Sequence, residues 1–148
     1  MKKLNVSSKS DDWRARRLSN FSNDSFVLDG VKVASVEGFI QGIKFPEKSP
    51  LRKQAFQEVG IHAKLLGKQA HNKFVWWKGK KIDYGSNRHH RLIAQAMEAK
   101  FLQNKGAAMS LACTKGMVLT HEVGSESPKT SLPSKVFCKI LTEIRKSL

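Results

Sequence analysis

A mainly α-helical domain with a minor β component is what this sequence predicts. Three observations carry that reading. Apolar residues recur at intervals of three and four along most of the chain. The strongest two-residue turn signal, Asp29-Gly30, separates two short runs of mixed polarity, the pattern of a small hairpin. The 148 residues, 40% of them hydrophobic, show neither an internal repeat nor an inter-domain linker, and that length suits one core. The expected class is therefore mainly α (α+β): a single compact helical domain with a short β-hairpin.

Residues 1–17 are polar and basic without clear periodicity, which predicts a mobile or loosely docked arm before a domain spanning 18–148. The hairpin comes next, from Phe26 to Val33. Ser35 is a suitable N-cap for a helix that Glu37 favours in its first turn and that Pro46 stops near Phe45. Pro50 suits the first turn of a second helix carrying Leu51, Ala55, Phe56 and Val59. Ile61 to Leu66 reads as a short helix ended by Gly67. The segment from His71 to Asn87 is aromatic, lysine-rich and broken by Gly79 and Gly85, so a loop is expected, with a short strand near Phe74–Trp77. Ser86 or Asn87 caps the clearest helix, Arg88 to Asn104, whose buried stripe is Leu92, Ile93, Ala96, Met97 and Phe101. A short helix follows at Ala108–Ala112, then a polar turn at Gly124–Ser131. Pro133 opens a final amphipathic helix carrying Val136, Phe137, Ile140, Leu141 and Ile144.

Charge says more about partners than about fold. The chain carries 27 Lys and Arg against 12 Asp and Glu, a net +15. Such an excess opposes compaction and points to a polyanionic or phosphorylated ligand. Between Gly60 and Lys105, ten basic residues face two acidic ones, so that window alone supplies +8. No apolar run approaches the roughly 18 residues of a membrane span, and the amino terminus has no apolar signal core, so a cytoplasmic protein without a membrane partner is expected. Cys113 and Cys138 form no CxxC pattern and read as buried free thiols. Neither His89-His90 nor His62 with His71 has a convincing metal spacing alongside carboxylates. No metal and no cofactor are expected.

The most informative stretch is SVEGFIQGIKF, Ser35 to Phe45. At about 100° per residue, Glu37, Gln41 and Lys44 fall within about 60° of one another. Val36, Phe39, Ile40 and Ile43 gather on the adjoining side. An acid, an amide and an amine then share one stripe on an element anchored by packing. The plainer alternative is a solvated face with a Glu–Lys pair. Gly38 and Gly42 each cost a helix interior roughly 1 kcal/mol relative to Ala and sit one turn apart, where another backbone or a ligand approaches closely.

The succession of LSNFSNDSF, DGVKVASVEGFIQGIKF, EAKFLQN and ILTEIRKSL resembles the NADAR family, whose members are linked to NAD, ADP-ribose and N-glycosidic bonds. The resemblance runs from about Leu18 to the carboxyl end. Asn20, Phe21, Asp29, Gly30, Glu37, Gln41, Lys44, Phe45, Lys100 and Phe101 fill the family pattern, whereas Gly38 stands where His is common. Many relatives also carry an acidic, Trp- and Gly-rich loop before the last helix. Here HEVGSESPKTSLPSK replaces it, and Glu122 or Glu126 is left to stand in for the missing acid.

The resemblance implies hydrolysis of a bond between an anomeric carbon and a base nitrogen, through an oxocarbenium-like transition state. On it, Glu37 is the carboxylate that stabilises developing positive charge and deprotonates water, and Lys44 protonates the leaving base or attacks an opened ribose. Gln41 binds a ribose hydroxyl, and Ser19, Asn20 and Phe21 hold and stack a base. Lys100 joins the substrate-binding set through the AKF match. Trp76 and Trp77 with the following lysines suggest base stacking beside phosphate, the alternative being that one tryptophan packs in the core. Arg88 at a helix start, where a cation opposes the dipole, suggests a bound anion. The activity this implies is removal of ADP-ribose from guanine in DNA or RNA. N-glycosidase action on phosphoribosylated riboflavin-pathway intermediates, or a non-catalytic module that binds ADP-ribose or nucleic acid, are the alternatives. The expected partner is thus an ADP-ribosylated nucleic acid or a phosphorylated nucleoside, with the oligomeric state open.

Overall fold

The computed structural model describes residues 2–148. In chain order it holds β1 (Lys3–Asn5), α1 (Trp13–Leu18), β2 (Phe26–Leu28), β3 (Val31–Val33), α2 (Val36–Gly42), α3 (Pro50–Phe56), α4 (Gly60–Gly67), β4 (Phe74–Trp77), β5 (Lys80–Asp83), α5 (Asn87–Gln103), α6 (Lys105–Ala112), β6 (Val118–Thr120) and α7 (Ser134–Lys146). The α+β class is as expected from the sequence. Helices dominate, and the strands form three separate two-stranded ladders. Among the described residues no helix is long and apolar enough to cross a membrane.

The expected hairpin is present. Asp29 and Gly30 both take positive φ (48° and 81°), the turn geometry whose twist matches two antiparallel strands. A second hairpin replaces the loop expected over 71–87. Lys78 and Gly79 repeat the positive-φ pair (47° and 77°), so β4 and β5 pair in register from Phe74↔Asp83 to Trp77↔Lys80. The two hairpins are joined where Trp77 Nε1 donates to Asp29 Oδ2 over 2.8 Å.

Residues 2–17 are not a loose arm. Strand β1 pairs in parallel with β6, Leu4 opposite Leu119, and Val6 is fully buried. Asp12 caps α1, and Ala15 and Leu18 on that helix enter the core. Apolar side chains at alternate positions 4 and 6, and at 15 and 18, supply the burial that polar neighbours conceal in the sequence.

Helix α2 runs through the middle of the molecule with every residue buried. Ser35 caps it, accepting from Gly38 N at 2.9 Å. Its two glycines answer to neighbouring protein. A β-carbon on Gly38 would stand 2.6 Å from the carbonyl oxygens of both Ala55 and Glu58, and one on Gly42 would overlap the Phe56 ring. Close approach of α3 therefore demands both. Phe39, Phe56 and Trp77 pack as an aromatic group against this helix pair. Helix α2 is shorter than expected, ending at Gly42, and Ile43 and Lys44 lie in the turn that follows.

Candidate active site

One face of α2, the turn after α1, helix α4, residues 7–9 and the segment before α7 enclose a cleft of about 890 Å³. Glu37, Gln41 and Lys44 all line it, as do Ser19, Asn20 and Phe21. The stripe inferred from helical spacing thus faces a cavity. The Ser19–Phe21 turn is held against the start of α2, since Glu37 N donates to Asn20 O at 3.0 Å.

Glu37 is nearly inaccessible at 8% exposure, and Gln41 Nε2 donates to its Oε2 at 2.7 Å. Burial pushes the Glu37 carboxyl above the usual carboxylate range, opposed by the Gln41 hydrogen bond and by the charges of Lys44 and Lys64. Burial also lowers the Lys44 amine, with Glu37 pulling it upward and Lys64 pushing it down. Lys44 lies over the Tyr84 ring, 5.9 Å from its centre. Glu37 and Lys44 make no direct ion pair, and both line the cleft. The other amide atom of Gln41, Oε1, is buried with no hydrogen-bond partner among the described residues, and so is Oδ1 of Asn72 on the same lining. Gly67 of α4 packs directly on that Gln41 amide, leaving no room for a β-carbon.

Cations ring the opening. Lys9, Lys44, Lys64, Lys68 and Lys129 line the cleft against two carboxylates, Glu37 and Glu126. Apolar wall comes from Phe21, Ile40, Leu132 and Phe137. The combination of amines, one buried acid, amides and aromatic or aliphatic wall suits a phosphorylated ligand that also carries a ring.

Four expected site residues lie elsewhere. Trp77 is buried at 6% exposure and serves the core and the Asp29 hydrogen bond. Trp76 is half-buried beside Phe74, and its backbone N–H donates to Ile43 O at 2.8 Å. Arg88 is exposed at the start of α5, off the cleft lining. Lys100 is 1% exposed and is a strut for the site: its Nζ donates to Arg17 O (2.7 Å) and Ser19 O (3.0 Å), fixing the turn that presents Asn20 and Phe21. Burial drives its amine down to about 7, with Asp24 opposing and Arg17 reinforcing that fall.

The segment that replaces the acidic loop does reach the cleft, through residues from His121 to Ser134. Glu126 accepts from Ser134 N at 2.9 Å and so caps α7, which has no other side-chain cap. Glu122 is exposed and not part of the lining. The sequence reading missed Lys64, Lys68, Asn72, Tyr84 and residues 7–9 as site components. Lys64 and Lys68, one helical turn apart, were the available signal. Cys113 is exposed instead of buried, and Cys138 half-buried; both are free. Among the described residues no group of His, Cys, Asp or Glu has the geometry to hold a metal ion.

Residues 12–146 match the family described as bacteriophage protein GP30.3. The chain belongs to that family. A 17.1 kDa protein from the Gp30–rIII intergenic region of Enterobacteria phage T4 is 32% identical over 142 residues, which span 92% of this chain and 93% of the phage T4 protein. Within solved structures, that of the Escherichia coli protein YbiA superposes with a TM-score of 0.70 at 20% identity, covering 99% of this chain and 84% of YbiA. At that identity the likeness is one of fold.

Proposed function

We propose that this GP30.3-family protein is an N-glycosidic hydrolase that removes ADP-ribose from guanine in DNA or RNA. What carries the reading is that Glu37, Gln41, Lys44, Asn20 and Phe21 converge on one cation-rimmed cleft. The sequence resemblance to the NADAR family and the fold likeness to YbiA, itself a NADAR-family protein, support it.

In this scheme the diphosphate lies among the cleft lysines and the base packs against Phe21 and Phe137. Gln41 Nε2 gives one hydrogen to Glu37 and offers its second to a ribose hydroxyl, its Oε1 being covered by Gly67. As the bond between anomeric carbon and base nitrogen breaks, charge on the sugar is stabilised by Glu37. A water oxygen then bonds the anomeric carbon and its proton passes to Glu37, whose raised pKa makes it the stronger base. The base nitrogen takes a proton from Lys44, whose lowered pKa makes it the stronger acid. Solvent returns the proton from Glu37 to Lys44, so the net change is the addition of one water.

The test is incubation of the pure protein with an oligonucleotide bearing ADP-ribosylated guanine, and detection of free ADP-ribose. Release by the wild type, abolished in Glu37→Gln, is the expected result. Release only from a phosphoribosylated pyrimidine, with affinity that barely responds to salt, would instead assign the small-metabolite activity. Binding of the oligonucleotide without release would assign a binding module.

A further inference from the structure

A second, smaller cavity of about 420 Å³ adjoins the cleft, walled by Ser8, Trp13, Arg16, Arg17, Phe21 and Ser22. Ser8 and Phe21 belong to both cavities, so the two adjoin at these residues. The lining pairs an aromatic face with unneutralised positive charge. Trp13 is 48% exposed, which is unusual for so large an apolar surface without a partner. Arg17 is ion-paired to buried Asp24 at 2.6 Å, but Arg16 has no carboxylate partner among the described residues and donates only to Ser10 O at 2.8 Å.

From this pairing we infer that the annex is a subsite for the nucleotide next to the modified base in a single-stranded substrate. The base stacks on Trp13 and the connecting phosphate meets Arg16. Stacking plus a nearby cation is how proteins hold unpaired bases irrespective of sequence. The inference rests on the proposed activity for its identification of the neighbouring base, but the annex should bind single strands whatever the cleft does. The main cleft, near the upper end of the roughly 300–1,000 Å³ of ligand pockets, has volume and lysines enough for the ADP-ribose itself. That leaves the annex to the polymer.

The experiment compares wild type, Trp13→Ala, Trp13→Phe and Arg16→Ala on two substrates: an ADP-ribosylated single-stranded 12-mer and the ADP-ribosylated mononucleoside. Trp13→Ala should lower kcat/KM on the 12-mer by roughly 5- to 100-fold and leave the mononucleoside unchanged, with Trp13→Phe recovering most of the loss. Equal losses on both substrates would place the adenosine end of ADP-ribose in the annex and overturn the inference. So would an unaltered rate on the 12-mer. Anisotropy with an unmodified, labelled 12-mer separates this inference from the catalytic reading. Weaker binding by Trp13→Ala and Arg16→Ala sustains the subsite even if the wild type releases no ADP-ribose, and unchanged binding refutes it.

Discussion

Replacing Gly67 with alanine sets a known gain against a cost that only the folded structure reveals. Alanine is better than glycine in a helix by roughly 1 kcal/mol, and Gly67 closes α4 without a positive φ, so an unencumbered site would be stabilised. The new methyl, however, falls on the Gln41 amide. Gln41 would have to swing away and give up its 2.7 Å hydrogen bond to Glu37, a charge-assisted bond worth about 1.5–3 kcal/mol. Displacement therefore wins, by about 0.5–2 kcal/mol. At roughly 2–4 °C per kcal/mol for a chain of this size, Tm should fall by about 1–8 °C. Turnover should fall further, because Glu37 loses the group that orients it. Scanning calorimetry on Gly67→Ala and on the double variant Gly67→Ala/Gln41→Ala provides the check. The second substitution removes the obstacle, so the double variant should be at least as stable as Gln41→Ala alone. A Gly67→Ala protein with raised Tm and wild-type turnover would refute the claim that α4 locks Gln41.

Two further outcomes follow from buried ionisable groups. Because burial raises the Glu37 pKa, its ionised form costs stability at pH values above the ordinary carboxylate range. Glu37→Gln should thus remove turnover yet match or exceed the wild-type Tm at pH 8, an advantage that disappears at pH 4; a destabilised Glu37→Gln at pH 8 would contradict this. Lys100 acts with the opposite charge but the same direction of reasoning. Its folded pKa of about 7 lies below the ordinary lysine value, so between pH 7 and about 10 the unfolded chain holds a proton that the folded chain does not. Stability from this residue should rise with pH across that window, seen as a widening Tm difference between wild type and Lys100→Met from pH 7 to 10. A difference that stays flat would show that Lys100 is not desolvated.

The parts of the site carried by local spacing were legible in the sequence. Glu37 and Gln41 share a face because 3.6-residue periodicity puts them there, Lys44 joins them from the turn after Gly42, and the Asp29-Gly30 turn announces itself by residue type. Features decided by remote partners were hidden. That one tryptophan packs in the core was an open alternative, but that it is Trp77 depends on Phe39, Phe56 and the Asp29 acceptor, and Lys100 is buried because two carbonyls from the turn after α1 meet it. The Lys78-Gly79 turn escaped notice because lysine is not a usual positive-φ residue. The basic window from 60 to 105 pointed to anion binding, yet of its ten cations only Lys64 and Lys68 line the cleft, the others being distributed over several elements. Gly38 and Gly42 hinted correctly at close approach; which neighbour approached was a matter of tertiary packing.

The ladder between residues 3–5 and 118–120 has a consequence for how this protein comes into being. Its earliest strand emerges more than a hundred residues ahead of the one it must pair with. The rim formed by Ser7, Ser8 and Lys9 cannot take its place until that late partner arrives. Assembly of the pocket is therefore a closing event, after synthesis has passed residue 120. Fragments that stop short of it should hold helices without ever holding a ligand.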